Sequence, residues 1–223
     1  MNPRFCLLVV AKAPVPGRVK TRLCPPASPG QAAEIAAAAL LDTLDAVSAT
    51  PGSVPVAAID GELSSAVRSD ELVHALRTVT VFRQRGGDLG ERLANAHADT
   101  AGAWPGLPVL QIGMDTPQVT PGLLAEAGAM LGDRQAVLGP ATDGGWWALG
   151  LADPRRAAVL TGVPMSRADT GERTRRALAE AGLRPGTLPE LSDVDTMADA
   201  VRVARQAGAR FAEAVEAVRA VSR

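Results

Sequence analysis

The chain has 223 residues, a net charge of −1 and only two cysteines, Cys6 and Cys24. That length allows one domain, residues 1–223, with a full core, and the near-zero charge removes the global basic field that would draw nucleic acid. Two thiols make neither a disulfide framework nor a cysteine-rich metal site and suit a reducing cytoplasm; no stretch approaches the roughly 20 apolar residues of a membrane helix.

In chain order, residues 5–10 (Phe-Cys-Leu-Leu-Val-Val) read as a buried strand. The run is too short for a signal peptide, lacks a cleavage-type site and leads straight to Lys12. Two prolines and a glycine then break regular structure, and Lys12, Arg18, Lys20 and Arg22 crowd into one loop. Residues 28–49 read as a helix capped by Ser28, with Ile35, Leu40, Leu41, Leu44 and Val47 on its apolar face. A second strand is expected over 54–59, a helix over 64–76 and a third strand over 78–82. A helix follows over 88–103 with Asp88 near its start, then a fourth strand over 108–113. Pro121 opens a helix over 121–131. Strands over 136–139 and 146–151 flank a turn at Asp143-Gly144-Gly145, and two or three helices close the chain. Apolar strands alternating with helices predict an α/β fold whose mainly parallel sheet is covered on both faces.

In such sheets, ligands bind beyond the carboxyl ends of the strands. The first of those ends carries the basic loop, where a phosphorylated ligand is expected. Lys20 and Arg22 lie two apart, so in an extended segment they would point the same way. The prolines argue that this loop is rigid rather than a solvated tail.

Carboxylates gather at other strand ends. Asp115 ends the fourth strand, and Gly113 is read as letting the backbone approach a ligand. Capping the next helix is better served by Thr120, directly before Pro121, which leaves Asp115 for a metal. Asp193 and Asp195 precede a closing helix; either capping or ligation suits them. Two carboxylates are what Mg²⁺ usually takes from a protein. Cations beside carboxylates match the needs of a metal–polyphosphate complex. In Asp143-Gly144-Gly145 the glycines are read as admitting a sugar or phosphate, with Trp146 or Trp147 lining the pocket; alternation allows only one of them to do so. His74 and His97 stand alone in helical segments and read as structural. The Gly-x-x-x-x-Gly-Lys-Ser/Thr and Gly-x-Gly-x-x-Gly loops are absent from the sequence, against P-loop hydrolysis and nicotinamide binding.

At these residues the chain resembles the DUF2064 family of bacterial proteins, in the GT-A-type nucleotide-diphospho-sugar transferase superfamily. The marks are Lys12-Ala13-Pro14-x-Pro16-Gly17-x-Val19-Lys20-Thr21-Arg22-Leu23, Gly87-Asp88-Leu89-Gly90-Glu91-Arg92-Leu93, Ile112-Gly113-x-Asp115-x-Pro117, Gly139-Pro140-Ala141-x-Asp143-Gly144-Gly145-Trp146-Trp147 and Asp193-Val194-Asp195-Thr196. Thr116 stands where the family often has a small residue such as Cys. Met165-Ser166-Arg167 replaces its usual Trp-Ser-Thr, so the acceptor side is expected to differ.

The resemblance implies a three-layer α/β/α sandwich of the Rossmann-like GT-A type. It implies a nucleotide held by Lys12, Ala13, Pro14, Gly17, Arg18, Lys20, Arg22, Asp88, Arg92, Gly113, Gly144, Gly145 and Trp146, with Mg²⁺ or Mn²⁺ on Asp115. The Lys-Thr-Arg-Leu and Asp-Val-Asp-Thr segments are also similar to molybdopterin cofactor and phospholactate guanylyltransferases. By that similarity Asp195 is the second metal ligand and Lys20 touches the phosphates.

The expected activity is metal-dependent transfer from a nucleotide-activated donor, an NDP-sugar or an NTP, to a small-molecule acceptor. Lys20, Asp115 and Asp143 are the catalytic candidates, Asp143 as orienter or base for an acceptor hydroxyl. Glycosyl transfer leads; nucleotidyl transfer with release of pyrophosphate is the alternative, and a non-catalytic nucleotide-binding module ranks below both. The apolar C-terminal face of Phe211, Val215 and Val218 packs either on the chain's own core or on a second subunit, which leaves a homodimer open.

Overall fold

The computed structural model describes residues 4–221. The first strand, β1 (Phe5–Lys12), is central. Its side chains are buried on both faces: Leu7 and Val9 join one apolar cluster, Cys6 and Leu8 another. That two-sided burial is why the strand reads as an unbroken apolar run. β1 is flanked by β2 (Ser53–Asp60) and β4 (Val109–Gly113), both parallel to it. β3 (Thr80–Arg83) continues the sheet beyond β2. On the other side β6 (Trp146–Leu151) lies antiparallel between β4 and β5 (Ala136–Pro140), and a two-residue strand, β7 (Gly186–Thr187), ends the sheet. The order is β3-β2-β1-β4-β6-β5-β7, so the sheet is mainly parallel, as expected, with β6 reversed.

Helices cover both faces. On one, α1 (Pro29–Ser48), α2 (Ser69–Ala75) and α4 (Pro121–Ala129) bury Leu40, Leu72 and Leu124 against β1 and β4. On the other, α3 (Leu89–Ala103), a 3-10 stretch (Pro154–Gly162) and α5 (Thr170–Glu180) bury Leu93, Leu160 and Leu178. Outside α1 lie α6 (Met197–Val203) and α7 (Ala209–Val221). Phe211, Val215 and Val218 pack there on Ile35 and Ala39 of α1. The C-terminal apolar face is therefore used within the chain, and α1, covered on two sides, is apolar nearly all round. None of the described helices is long and apolar enough to cross a membrane.

Two expected elements differ, and one strand was not expected. The helix over 64–76 is divided: Arg68 takes a left-handed φ of 53°, so only Ser69–Ala75 is α-helical, with 3-10 turns on either side. The Arg68 Nε–H donates to Glu34 of α1 at 2.8 Å, which holds the break against the core. α4 tightens into a 3-10 turn, Met130–Gly132, before the expected end. β7 was not foreseen; two residues beside Pro185 carry no strand pattern, and pairing with β5 makes them one.

Candidate functional site

A cavity of about 610 Å³ opens over the carboxyl ends of β1, β4 and β5. Its position follows from topology. Strand order reverses direction between β2 and β4 around β1, and that is where an open sheet leaves a crevice.

The loop after β1 is closed by its own backbone. The Val15 N–H donates to the Ala13 carbonyl at 2.8 Å and that of Arg18 to Val15 at 3.0 Å, with Gly17 at φ 75° completing the turn. Pro14 accepts from the Val67 N–H at 3.1 Å, and Ala13 is buried against Gly61. Lys20 then adopts a left-handed φ of 48° just before the 3-10 turn Thr21–Leu23. That conformation turns its side chain inward, where Nζ sits 3.0 Å from Asp115 Oδ2 and donates also to the Val194 carbonyl. Arg22 reaches outward to Asp195. The two cations thus meet two carboxylates, but not as neighbours on an extended segment, because that segment is a turn.

Asp193 and Asp195 arrive by a second route. The chain leaving β7 runs along the end of β5: Ala141 bridges Leu191, the Leu191 N–H donates to the Pro140 carbonyl at 3.1 Å, and that of Thr142 to Leu191 at 3.0 Å. The Val194 N–H then donates to the Asp115 carbonyl at 2.9 Å. Thr196, not either aspartate, caps α6, in a reciprocal box with Asp199. Thr120 likewise caps α4 and leaves Asp115 uncommitted to any helix. Burial, followed by the nearby charges of Asp143 and Asp115, pushes the Asp193 carboxyl up to about 6. Lys20 acts in the opposite direction without offsetting them.

Of the residues singled out from sequence, Lys12, Arg18, Lys20, Arg22 and Arg92 line this cavity. So do Gly113, Asp115, Asp143, Gly145, Trp146 and Asp195. Lys20, Arg22 and Arg92 are each paired with a carboxylate, Arg92 with Asp60 at 3.1 Å, while the Lys12 and Arg18 side chains have no such partner among the described residues. Ala13, Pro14, Gly17, Asp88 and Gly144 do not line it. The first three shape the loop, and Asp88 caps α3 through the Glu91 N–H at 2.9 Å.

The glycines have a cause in packing. A Cβ on Gly113 would stand 2.6 Å from Asp115 Oδ1, so this glycine, at the cavity wall, makes room for the aspartate. A Cβ on Gly144 would stand 1.9 Å from the Ala168 carbonyl oxygen. The turn joins β5 and β6 as a hairpin, and its bare backbone lets the 165–171 segment close over it: Gly171 donates to the Gly144 carbonyl at 2.8 Å. Trp147 is buried, its Nε1–H on the Pro189 carbonyl at 2.9 Å, and Trp146 is half-buried, donating to Thr174 at 3.1 Å. Both touch the cavity.

Two comparisons place the chain among known proteins. The model of the DUF2064 family, described as an uncharacterized protein conserved in bacteria, matches residues 43–167, more than half of the chain. The chain belongs to that family.

This DUF2064 protein finds no match among curated proteins. Among solved structures it is similar to a protein of Desulfovibrio desulfuricans G20 provisionally assigned as a nucleotide-diphospho-sugar transferase. The two are 25% identical, with a TM-score of 0.82 over 97% of this chain and 98% of that one. It shares its fold with Rv0371c of Mycobacterium tuberculosis H37Rv, solved with manganese, at 19% identity and a TM-score of 0.54 over 89% and 97%. It also shares its fold with CMP:2-keto-3-deoxy-manno-octonic acid synthetase complexed with CTP, at 13% identity and a TM-score of 0.56 over 95% and 99%. These likenesses bear out a nucleotide-diphospho-sugar transferase fold.

Other residues also line the DUF2064 cavity, and of these Asp60, Gln111 and Thr170 carried no expectation from the sequence. Asp60 and Gln84 sit at the ends of β2 and β3, and Gln84 Nε2 donates to the Ala11 and Ala58 carbonyls at 2.8 and 2.9 Å. Gln111 lies inside β4; Met165, Ser166, Arg167 and Thr170 come from the segment before α5. Its strand end was the available signal for Asp60. A glutamine inside an apolar strand was the signal for Gln111.

Proposed function

We propose that this protein is a divalent-metal-dependent transferase that uses a nucleotide-activated donor, and that it moves a glycosyl group from an NDP-sugar to a small-molecule acceptor. The observation that carries the reading is the pairing of Lys20 with Asp115 and Arg22 with Asp195 at the mouth of one cavity. A phosphate chain and its counter-ion need both kinds of group, and here each sits against the other. We read residues 1–223 as one catalytic domain, working in the cytoplasm; its two free thiols suit that compartment.

Asp115 and Asp195, with Asp193 adjoining, are the residues to hold Mg²⁺ or Mn²⁺. Their oxygens are hard donors, and the raised Asp193 carboxyl marks a cluster that a cation relieves. Among the described residues no three or more His, Cys, Asp or Glu side chains converge into a closed cage. The set therefore fits an ion held by one or two carboxylates, with substrate phosphates completing its shell. Bound there, the ion would offset the negative charge of the departing nucleoside diphosphate.

The chain's own residues do the rest. Lys20 and Arg22 exchange their carboxylate partners for phosphate oxygens, and Lys12 and Arg18 bring two further charges without first breaking a salt bridge. Asp143, exposed in the β5–β6 turn and accepting from the Gly145 N–H at 2.7 Å, is placed to orient or deprotonate an acceptor hydroxyl. Met165, Ser166 and Arg167 line the side from which an acceptor would approach.

One observation favours nucleotidyl transfer: four cations of a single loop line the cavity, which suits a triphosphate. Thermal melting with NDP-sugars and NTPs, with and without Mg²⁺ or Mn²⁺, separates the two. Metal-dependent stabilisation by an NDP-sugar, lost in Asp115→Asn, is expected. Response to an NTP and to no NDP-sugar would replace glycosyl by nucleotidyl transfer, and silence toward every nucleotide would overturn the reading.

A further inference from the structure

Beside its charged groups, the cavity has a neutral stretch of lining between β1, β4 and α3. Val10 of β1 and Leu93 of α3 form apolar walls there, and Gln111 of β4 supplies an amide. Gln111 is only 2% exposed. Its Oε1 meets Nε2 of His97, fully buried on α3, at 3.1 Å. Its own Nε2 makes no hydrogen bond among the described residues, yet is not one of the enclosed side-chain atoms lacking a partner. The amide N–H₂ therefore meets the cavity.

The orientation has a physical reason. His97 Nδ1 is enclosed and unpartnered. If the Gln111 amide were flipped, the imidazole would have to accept at Nε2 and carry its proton on Nδ1, leaving an orphaned buried N–H. A bare lone pair at Nδ1 costs less. His97 is also neutral, because burial pushes its pKa down to about 4, so Nε2–H is its single donor and Gln111 Oε1 its acceptor.

We propose that Gln111 is a specificity-determining residue: its amide, held donor-outward by His97, recognises an uncharged oxygen or ring nitrogen on the sugar or base of the nucleotide ligand. The inference rests on the reading that the basic loop holds the phosphates. With the phosphates at that loop, the neutral remainder of the ligand is what faces Val10, Leu93 and Gln111. The apolar contacts there are indifferent to the ligand's polar pattern and the Gln111 amide is not; the amide nitrogen of Gln84, also at the cavity, is already taken by the Ala11 and Ala58 carbonyls. His97 acts through Gln111 and is a positioning residue.

The test uses the full-length protein and isothermal titration with two probes, inorganic tripolyphosphate and nucleotides (the four NTPs and a set of NDP-sugars). Wild type is expected to bind both. Gln111→Glu keeps an acceptor for His97 but turns an oxygen to the cavity; Gln111→Met keeps the volume and removes the polar group. Both are expected to hold tripolyphosphate as wild type does and to weaken nucleotide binding about tenfold. Equal losses across all four NTPs point the amide at the sugar; losses confined to some bases point it at the base, and either supports the proposal. Unchanged nucleotide affinity in both variants would overturn it. Failure of wild type to bind tripolyphosphate would instead overturn the phosphate reading of the basic loop. Should the variants not fold, nitrogen-15 spectra of wild type decide: the Gln111 amide should shift with nucleotide and not with tripolyphosphate, and His97 should carry its proton on Nε2. A proton on Nδ1 would overturn the donor orientation.

Discussion

Lys20 and Asp115 stand ninety-five residues apart in the chain and 3.0 Å apart in space. The Lys20 side chain is largely buried and that of Asp115 about one-third exposed, at 11% and 37%. A part-screened pair of this kind contributes modestly to stability. Lys20→Met should therefore lower the melting temperature by only a few degrees, yet weaken nucleotide binding by about ten- to a hundredfold, as loss of a charge-assisted contact to phosphate does. Melting curves and titrations on one preparation check both halves.

Asp115→Asn keeps the shape of the side chain and removes its charge. Metal-dependent turnover is expected to fall at least about a hundredfold, with nucleotide binding in the absence of metal changed far less. Activity with Mg²⁺ or Mn²⁺ set against binding in chelator reads the difference.

Capping and ligation part company at the start of α6. Thr196→Ala removes the cap and should cost about 1 kcal/mol, with activity retained. Asp195→Ala leaves the cap intact; it should cost less stability than the cap variant and abolish metal-dependent stabilisation by nucleotide. Denaturant unfolding of the two variants side by side makes the comparison.

His97 sets a pH limit on the fold. Burial lowers its pKa from 6.5 to about 4. The unfolded chain thus takes up a proton that the folded chain refuses. The stability of the neutral form is fully present above about pH 6.5 and is lost as pH falls toward 4, by roughly 3 kcal/mol in all. Asp193, pushed up to about 6, works the other way in part of the same window. The contribution of His97 is therefore the difference between wild type and His97→Leu in urea unfolding at pH 7 and pH 4.5; on acidification the wild type should lose stability relative to the variant.

Much of this molecule is legible in its sequence because the signals are local. Ser28 and Gln31 form the reciprocal cap of α1, Pro121 starts α4 after Thr120, and β1 shows its two-sided burial as an uninterrupted apolar run. Strand ends pointed to Lys20, Arg22, Asp115 and Asp195, and all four line one cavity. What the sequence concealed depends on contacts between distant segments. Arg68 breaks a helix whose local pattern is continuous. Gly113 and Gly144 are glycines because Asp115 and Ala168 crowd them, and no turn propensity reports a neighbour's carbonyl. Asp88 and Arg92 belong to one motif, yet Asp88 serves the end of α3 while only Arg92 reaches the cavity. β7 exists only because β5 offers it an edge.

The route taken by the chain after β7 has a bearing on synthesis. Asp193 and Asp195 reach Asp115 only once residues 191–194 have paired with the ends of β5 and β4. A ribosome that has released the first 190 residues has made all six longer strands and the entire basic loop, but only one side of the charge arrangement around Lys20. The cavity mouth is thus completed late, by a segment outside the 43–167 stretch that defines family membership. A homologue truncated near residue 190 would still be recognised as kin and would keep Asp115 opposite Lys20, while lacking the carboxylate that Arg22 meets.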